Sequence, residues 1–205
     1  GGAAAAAPRG AAFPKGFLWG AATSGHQIEG NNVNSDIWLV ENVKPTFFPE
    51  PSGDAANSFE LWPQDLDLAK AIGLATYRFS IEWSRIEPEP GLFSIAMLDH
   101  YKAILDGCAK RGLVSMVTFS HWTTPRWFAA RGGWANPEAP ALFAKFCDRA
   151  ARHLAPYMDY AVTLNEPNLL VGSFEEPRPE RVRKLLDATM AAAAKAAGSD
   201  RFAMG

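Results

Sequence analysis

Residues 113–119, LVSMVTF, form a nearly continuous apolar run, with Arg111-Gly112 before it and Ser120-His121-Trp122 after it. A strand with one wet face alternates apolar and polar residues. A run of this kind has both faces covered, the habit of a parallel sheet with helices packed on it. Upstream, Ile95 to Lys110 reads as a helix stopped by Arg111-Gly112, because glycine accepts the left-handed geometry in which many helices end. The same pairing of strand and helix recurs in both directions. Phe17–Thr23 (FLWGAAT), Ala75–Ile81 (ATYRFSI) and Tyr160–Leu164 (YAVTL) are further strand candidates. Phe59–Ile72, Pro137–His153 (with Pro at its first turn) and Pro179–Ala197 are further helices, and Phe202–Met204 opens a fifth strand. Residues 27 to about 53 read as a long loop rich in Asn, Pro and Gly.

Four consecutive βα units predict an α/β fold with a parallel sheet and right-handed helical crossovers. A doubly wound sheet shares this alternation, but it usually carries a Gly-rich phosphate turn after its first strand, and none occurs here. A (β/α)8 barrel needs about 250 residues, so the chain supplies roughly the first four βα units of one. Residues 1–12, small and without Met, read as a tag remnant or as the stub left by a processed export signal. Residues 13–205 then form the N-terminal half of the barrel.

Composition narrows the functional classes. The 205 residues are 48% hydrophobic and 20% charged, the proportions of a folded globular chain. With 20 basic against 22 acidic side chains the net charge is −2, which leaves no basic field for nucleic acid or an anionic membrane. No apolar run approaches the ~20 residues that cross a bilayer, so a soluble chain is expected, cytoplasmic or exported. Cys108 and Cys147 fall inside helical patterns and read as buried free thiols, not as a metal site or a disulfide. The seven Trp can pack a core, and flat indoles also stack on sugar rings.

Polar and aromatic residues gather directly after each strand. They are Ser24, His26, Gln27 and Glu29 after the first, and Glu82-Trp83-Ser84-Arg85 after the second, which itself carries Arg78. Ser120-His121-Trp122 follows the third and Asn165-Glu166-Pro167-Asn168 the fourth. In a barrel these strand ends make one rim, the face where catalytic residues collect. Hydrogen-bonding and ring-stacking groups delivered there by four strands suit a polyhydroxyl ligand. Each has a structural alternative: Arg78 could pair with Glu82 or another structural acid, and His121 could be a satisfied structural histidine. Glu29 and Glu82 read as structural carboxylates, and Trp19, Trp38, Trp83 and Trp134 as core or rim packing.

Five stretches in order carry a resemblance. FPKGFLWGAATSGHQIEG (13–30), YRFSIEWSRIEP (77–88), HWTTP (121–125), GGW (132–134) and TLNEPN (163–168) are similar to motifs of glycoside hydrolase family 1, the β-glucosidase family. The resemblance implies that Glu166 is the general acid/base and that Asn165 bonds the sugar 2-hydroxyl. It implies that Gln27 and His121 hold the 3- and 4-hydroxyls, with Trp122 beside them, and that Arg78 supports the nucleophilic carboxylate. No metal or organic cofactor is implied. The chain also departs from the family at Ala161, where a Trp is common, at Ser120, where several members carry a second His, and in the short stretch after Asn168. The family's nucleophile lies in a Thr-Glu-Asn-Gly site on strand seven, which has no counterpart here.

Retaining hydrolysis needs two carboxyl groups about 5 Å apart, and this chain supplies one. The expected partners are therefore a β-glycoside substrate and a C-terminal half of the barrel, as a second chain or a cleavage product. The alternative is a non-catalytic sugar-binding or structural half-barrel. Glycone and aglycone preference, including phosphorylated glycosides, is left open, because part of the pocket lies in the other half.

Overall fold

The computed structural model describes residues 13–167 together with Leu169, Glu180, Lys184, Ala188, Ala191 and Lys195. In chain order the elements are β1 (Gly20–Ala22), α1 (Gly25–Ile28), α2 (Asp36–Asn42), α3 (Ser58–Ala71), β2 (Thr76–Ser80) and α4 (Trp83–Ile86). They continue with α5 (Ile95–Lys110), β3 (Val114–Ser120), α6 (Arg126–Ala130), α7 (Ala139–Leu154) and β4 (Tyr160–Leu164). Short 3-10 turns occupy Gly133–Ala135 and Ala155–Tyr157. The stub at 1–12, Asn168, the short stretch beyond it and the fifth strand lie outside the described residues. Of the helix expected over 179–197 only Glu180, Lys184, Ala188, Ala191 and Lys195 are described, and all five are helical.

The four strands are parallel and stand side by side in chain order, β1-β2-β3-β4. Each next strand therefore lands on the same side of the last, the winding that curls a sheet toward a barrel, whereas a doubly wound sheet reverses direction partway. Register fixes two faces. Ala22, Arg78, Met116 and Tyr160 lie in one row across the sheet, and Phe79, Val117 and Ala161 in a row on the opposite face. The second row is buried in one continuous core with Leu66 and Ala69 of α3, Leu98, Tyr101 and Leu105 of α5, and Phe143, Phe146 and Leu154 of α7. In the first row Arg78, Met116 and Tyr160 are only half-buried. The apolar run in β3 is thus covered on its helical face and is partly open on the other.

Helix boundaries follow local chemistry. Ser94 caps α5 by accepting from the N–H of Met97 at 3.3 Å, and Gly112 follows the helix at φ +62°. The expected strand at 17–23 shrinks to Gly20–Ala22, which among the described residues pairs with β2 alone, and Phe17, Leu18 and Trp19 before it are exposed. The expected loop of 27–53 also differs, because it contains α2. Ser35 caps that helix, accepting from Trp38 N–H at 3.1 Å, and Asp36 ties its start to Thr124. Seven residues make too short a helix to stand on their own propensity. Tertiary bonds hold this one.

Candidate active site

Arg78 joins three strands at their C-terminal ends. Its Nε donates to Thr118 Oγ1 of β3 at 2.8 Å and its Nη2 to Asn165 Oδ1, just past β4, at 2.9 Å. The expected alternative partner, Glu82, is not used. Burial lowers the pKa of the guanidinium, and the nearby charge of Glu166 opposes that shift. Asn165 is held from a second side, its N–H donating to the carbonyl of Ser120 at 2.9 Å. Glu166 follows with φ +47°, a left-handed conformation that non-glycine residues rarely adopt, and its side chain is exposed at the rim.

After β3, His121 is half-buried and Trp122 exposed, their rings 6.3 Å apart. Burial and the Arg78 charge both lower the His121 pKa, so its imidazole is neutral at pH 7. Among the described residues His121 Nδ1, Ser24 Oγ and Ser120 Oγ are buried at these strand ends without a hydrogen-bond partner. Gln27 sits in α1, beyond β1, with its side chain exposed and no side-chain hydrogen bond among the described residues. The geometry thus draws Arg78, Asn165, Glu166, His121 and Trp122 toward one corner and leaves Gln27 on the adjoining turn.

A layer of polar contacts beneath this rim was not anticipated. Gly25 N–H donates to Ser80 Oγ at 2.7 Å, and His26 Nε2 pairs with Glu41 Oε1 at 2.9 Å, which docks the Gln27 turn on β2 and α2. Glu29 and Glu82, read from the sequence as structural carboxylates, are both buried and hydrogen-bonded. Glu29 meets Arg85 at 2.8 Å and accepts from the Tyr101 hydroxyl at 3.0 Å, whereas Glu82 accepts from Asn32 Nδ2 and Thr123 Oγ1, both at 2.7 Å. Burial, then the neighbouring Glu82, push the Glu29 carboxyl up to about 7. Thr118 shares β3 with two other hydroxyl residues, Ser115 and Ser120, so nothing local in the sequence sets it apart. Thr123 falls within the HWTTP stretch with no signal of its own as a carboxylate partner, and Asn32 lies outside the five stretches.

The family model described as glycosyl hydrolase family 1 matches residues 9–175. The chain belongs to glycosyl hydrolase family 1. Within that family it is 35% identical to β-glucosidase A of Thermotoga maritima over 162 residues, 76% of this chain and 36% of that protein. It is 32% identical to the human cytosolic β-glucosidase over 168 residues, 78% of this chain and 36% of that one. A β-glycosidase known from its crystal structure superposes with a TM-score of 0.85 at 40% identity, over 94% of this chain and 55% of that one. The chain therefore spans about a third of these two β-glucosidases and about half of that solved chain. The family fold is a (β/α)8 barrel, of which the four βα strands are the N-terminal part. Trp83, almost fully buried, stacks with Phe146 and packs edge-on to Trp127, so this tryptophan serves the core of the family fold.

Proposed function

We propose that this chain is the acid/base half of a retaining β-glycosidase that hydrolyses terminal β-D-glycosides, β-glucosides first, once strands five to eight complete the barrel. The observation that carries the reading is the convergence of Arg78, Asn165 and Glu166 at one strand-end corner. Glu166 gives its proton to the glycosidic oxygen as the bond breaks, then takes one from the water that releases the sugar. A second carboxylate from the C-terminal half, about 5 Å away, attacks the anomeric carbon as that first bond breaks, and the water then displaces it from the sugar. Because Asn165 Oδ1 is engaged by Arg78, its amide N–H groups are left to donate to the 2-hydroxyl. The guanidinium, already fixed by two bonds, holds the incoming nucleophile ionised through its positive charge. Neutral His121 and Gln27 bind the 3- and 4-hydroxyls, and Trp122 lends a ring face.

The partner half has structural support of its own. Among the described residues β1 pairs on one side only, and Phe13, Phe17 and Trp19 cluster exposed beside it with ring centroids 4.6–5.0 Å apart. Leu61, Leu68 and Ile72 form an exposed apolar stripe along α3. Exposed patches of this kind mark surfaces that another element covers. The test is to supply the missing strands, follow an aryl β-glucoside and record the first-formed sugar anomer by NMR. Turnover with the β-anomer appearing first supports the reading; an α-anomer, or no turnover from a folded complex, refutes it.

A further inference from the structure

The turn that presents His121 and Trp122 is strained. Trp122 has φ +76°, and the N–H of Thr123 donates to the carbonyl of His121, two residues back, at 3.0 Å. A hydrogen bond of that span across a residue with positive φ marks the rare, strained form of the three-residue γ-turn. A bulky side chain keeps such a backbone only where the surroundings over-determine it. Here they do, on the two residues that follow.

Thr123 Oγ1 donates to Glu82 at 2.7 Å, and the buried Glu82 carboxylate is anchored by Asn32 on the same oxygen, also at 2.7 Å. Thr124 offers both its N–H, at 2.8 Å, and its hydroxyl, at 2.7 Å, to the half-buried Asp36. The Asp36 N–H in turn donates to the Thr124 carbonyl at 2.9 Å. Among the described residues neither acid forms a salt bridge. The Arg85 charge reaches Glu82 only from beyond contact, and a carboxylate taken from water is costly unless hydrogen-bonded, so its directional bonds are the reason for its place. Asp36 also bonds the N–H of Ile37 at 2.8 Å and so serves the start of α2. That role needs only one oxygen, and both are committed to Thr124. Glu82 reaches further. Its Oε1 lies 2.6 Å from where a Cβ on Gly25 would stand, so the same carboxyl abuts the turn that carries Gln27.

We infer that Glu82 and Asp36 are positioning residues which, through the side chains of Thr123 and Thr124, lock the γ-turn at Trp122 and set the direction in which His121 and Trp122 meet a sugar. The inference rests on the β-glycosidase reading for its function and on geometry alone for the lock.

The two parts are tested separately in the completed barrel. Thr123→Val and Thr124→Val keep the shape and delete a hydroxyl, while Thr123→Ser keeps the hydroxyl. In protein labelled with 15N-Trp, the Trp122 indole signal, assigned with Trp122→Phe, is expected to move in both valine variants and to stay in place in Thr123→Ser. With an aryl β-glucoside, kcat/KM falls about ten-fold in the valine variants, a modest share of what misplaced contacts can cost. Thr123→Ser restores it, and Thr123→Val has no further effect once His121 and Trp122 are both alanine. An indole signal unmoved in both valine variants overturns the lock. A moved signal with unchanged kcat/KM, a serine variant as impaired as valine, or an undiminished valine effect in the double-alanine background overturns its role in sugar positioning. Absence of turnover by the unaltered protein refutes the hydrolase reading instead, and the indole signal still decides the lock.

Discussion

Replacing Gly25 by alanine tests the packing under the rim with a single methyl group. The new Cβ would lie 2.6 Å from Glu82 Oε1, 2.7 Å from its Cγ and 3.0 Å from its Cδ, where ordinary contact begins at 3.4 Å. The carboxylate has to retreat by about 0.8 Å to reach that contact. It is held by Asn32 and Thr123 at 2.7 Å each, from residues on different loops, so a retreat of that size stretches one bond to its limit. Losing a hydrogen bond to a charged group costs about 1.5–3 kcal/mol, and overpacking a filled site costs about 1–3 kcal/mol more. Alanine recovers somewhat under 1 kcal/mol because it is the better helix former. The net expectation is a loss of about 2–4 kcal/mol, read as a lowered urea midpoint of the completed barrel with an unchanged slope. The decisive control is Gly25→Ala in a Glu82→Ala background, where the obstacle is gone and the added cost should nearly vanish. Equal losses in both backgrounds, or no loss in either, refute the packing argument.

Two further outcomes follow from the site. Glu29 binds a proton in the folded protein up to about pH 7, against a usual carboxylate value of 4.5, and releases it on unfolding. Its raised pKa contributes stability below pH 4.5 that declines as pH rises through 7, by about 3 kcal/mol in all. Glu82, Arg85 and Tyr101 surround the group, and because burial also raises Glu82 and Asp36, Glu29→Gln should lessen, without abolishing, the fall of denaturation midpoints across that window. Glu41, lowered by its bonds to His26 and Ser52 although burial opposes them, acts in the opposite sense and only at more acid pH. For Arg78, both Lys and Leu should cost 10²-fold or more in kcat/KM, on the order of the penalty for misplaced catalytic groups. A lysine ammonium cannot span Thr118 and Asn165 together as the forked guanidinium does. A lysine variant with near-normal kinetics would show that the span is unimportant.

The sheet and its long helices were readable because their signals are local. β4 and α5 fall on the bounds that periodicity and end signals mark, Tyr160–Leu164 and Ile95–Lys110, and β2 and β3 shift by a residue or two. α2 escaped notice because its stability comes from Asp36 bonding Thr124, 88 residues on, instead of from an apolar stripe. β1 is shorter than expected because, among the described residues, pairing with β2 on a single side defines it. Asn165 and Glu166 could be picked out by their place after β4, and Arg78 by its charge within β2. What they bond to could not, since Thr118 and Ser120 become partners only when register aligns β2, β3 and β4. The Glu82 cluster was least visible, because Asn32 lies 50 residues before it and Thr123 41 after.

Whether Glu166 moves the proton is tested most directly by its alanine variant in the completed barrel, assayed on two β-glucosides with contrasting leaving groups. An alkyl alcohol needs protonation as it departs, and a dinitrophenolate does not. If Glu166 is the acid, kcat/KM for the alkyl glucoside falls by about 10²–10⁴, the usual contribution of general acid catalysis, and the dinitrophenyl substrate loses far less. Equal losses on both substrates, or none on either, would contradict the assignment of Glu166 as the acid/base.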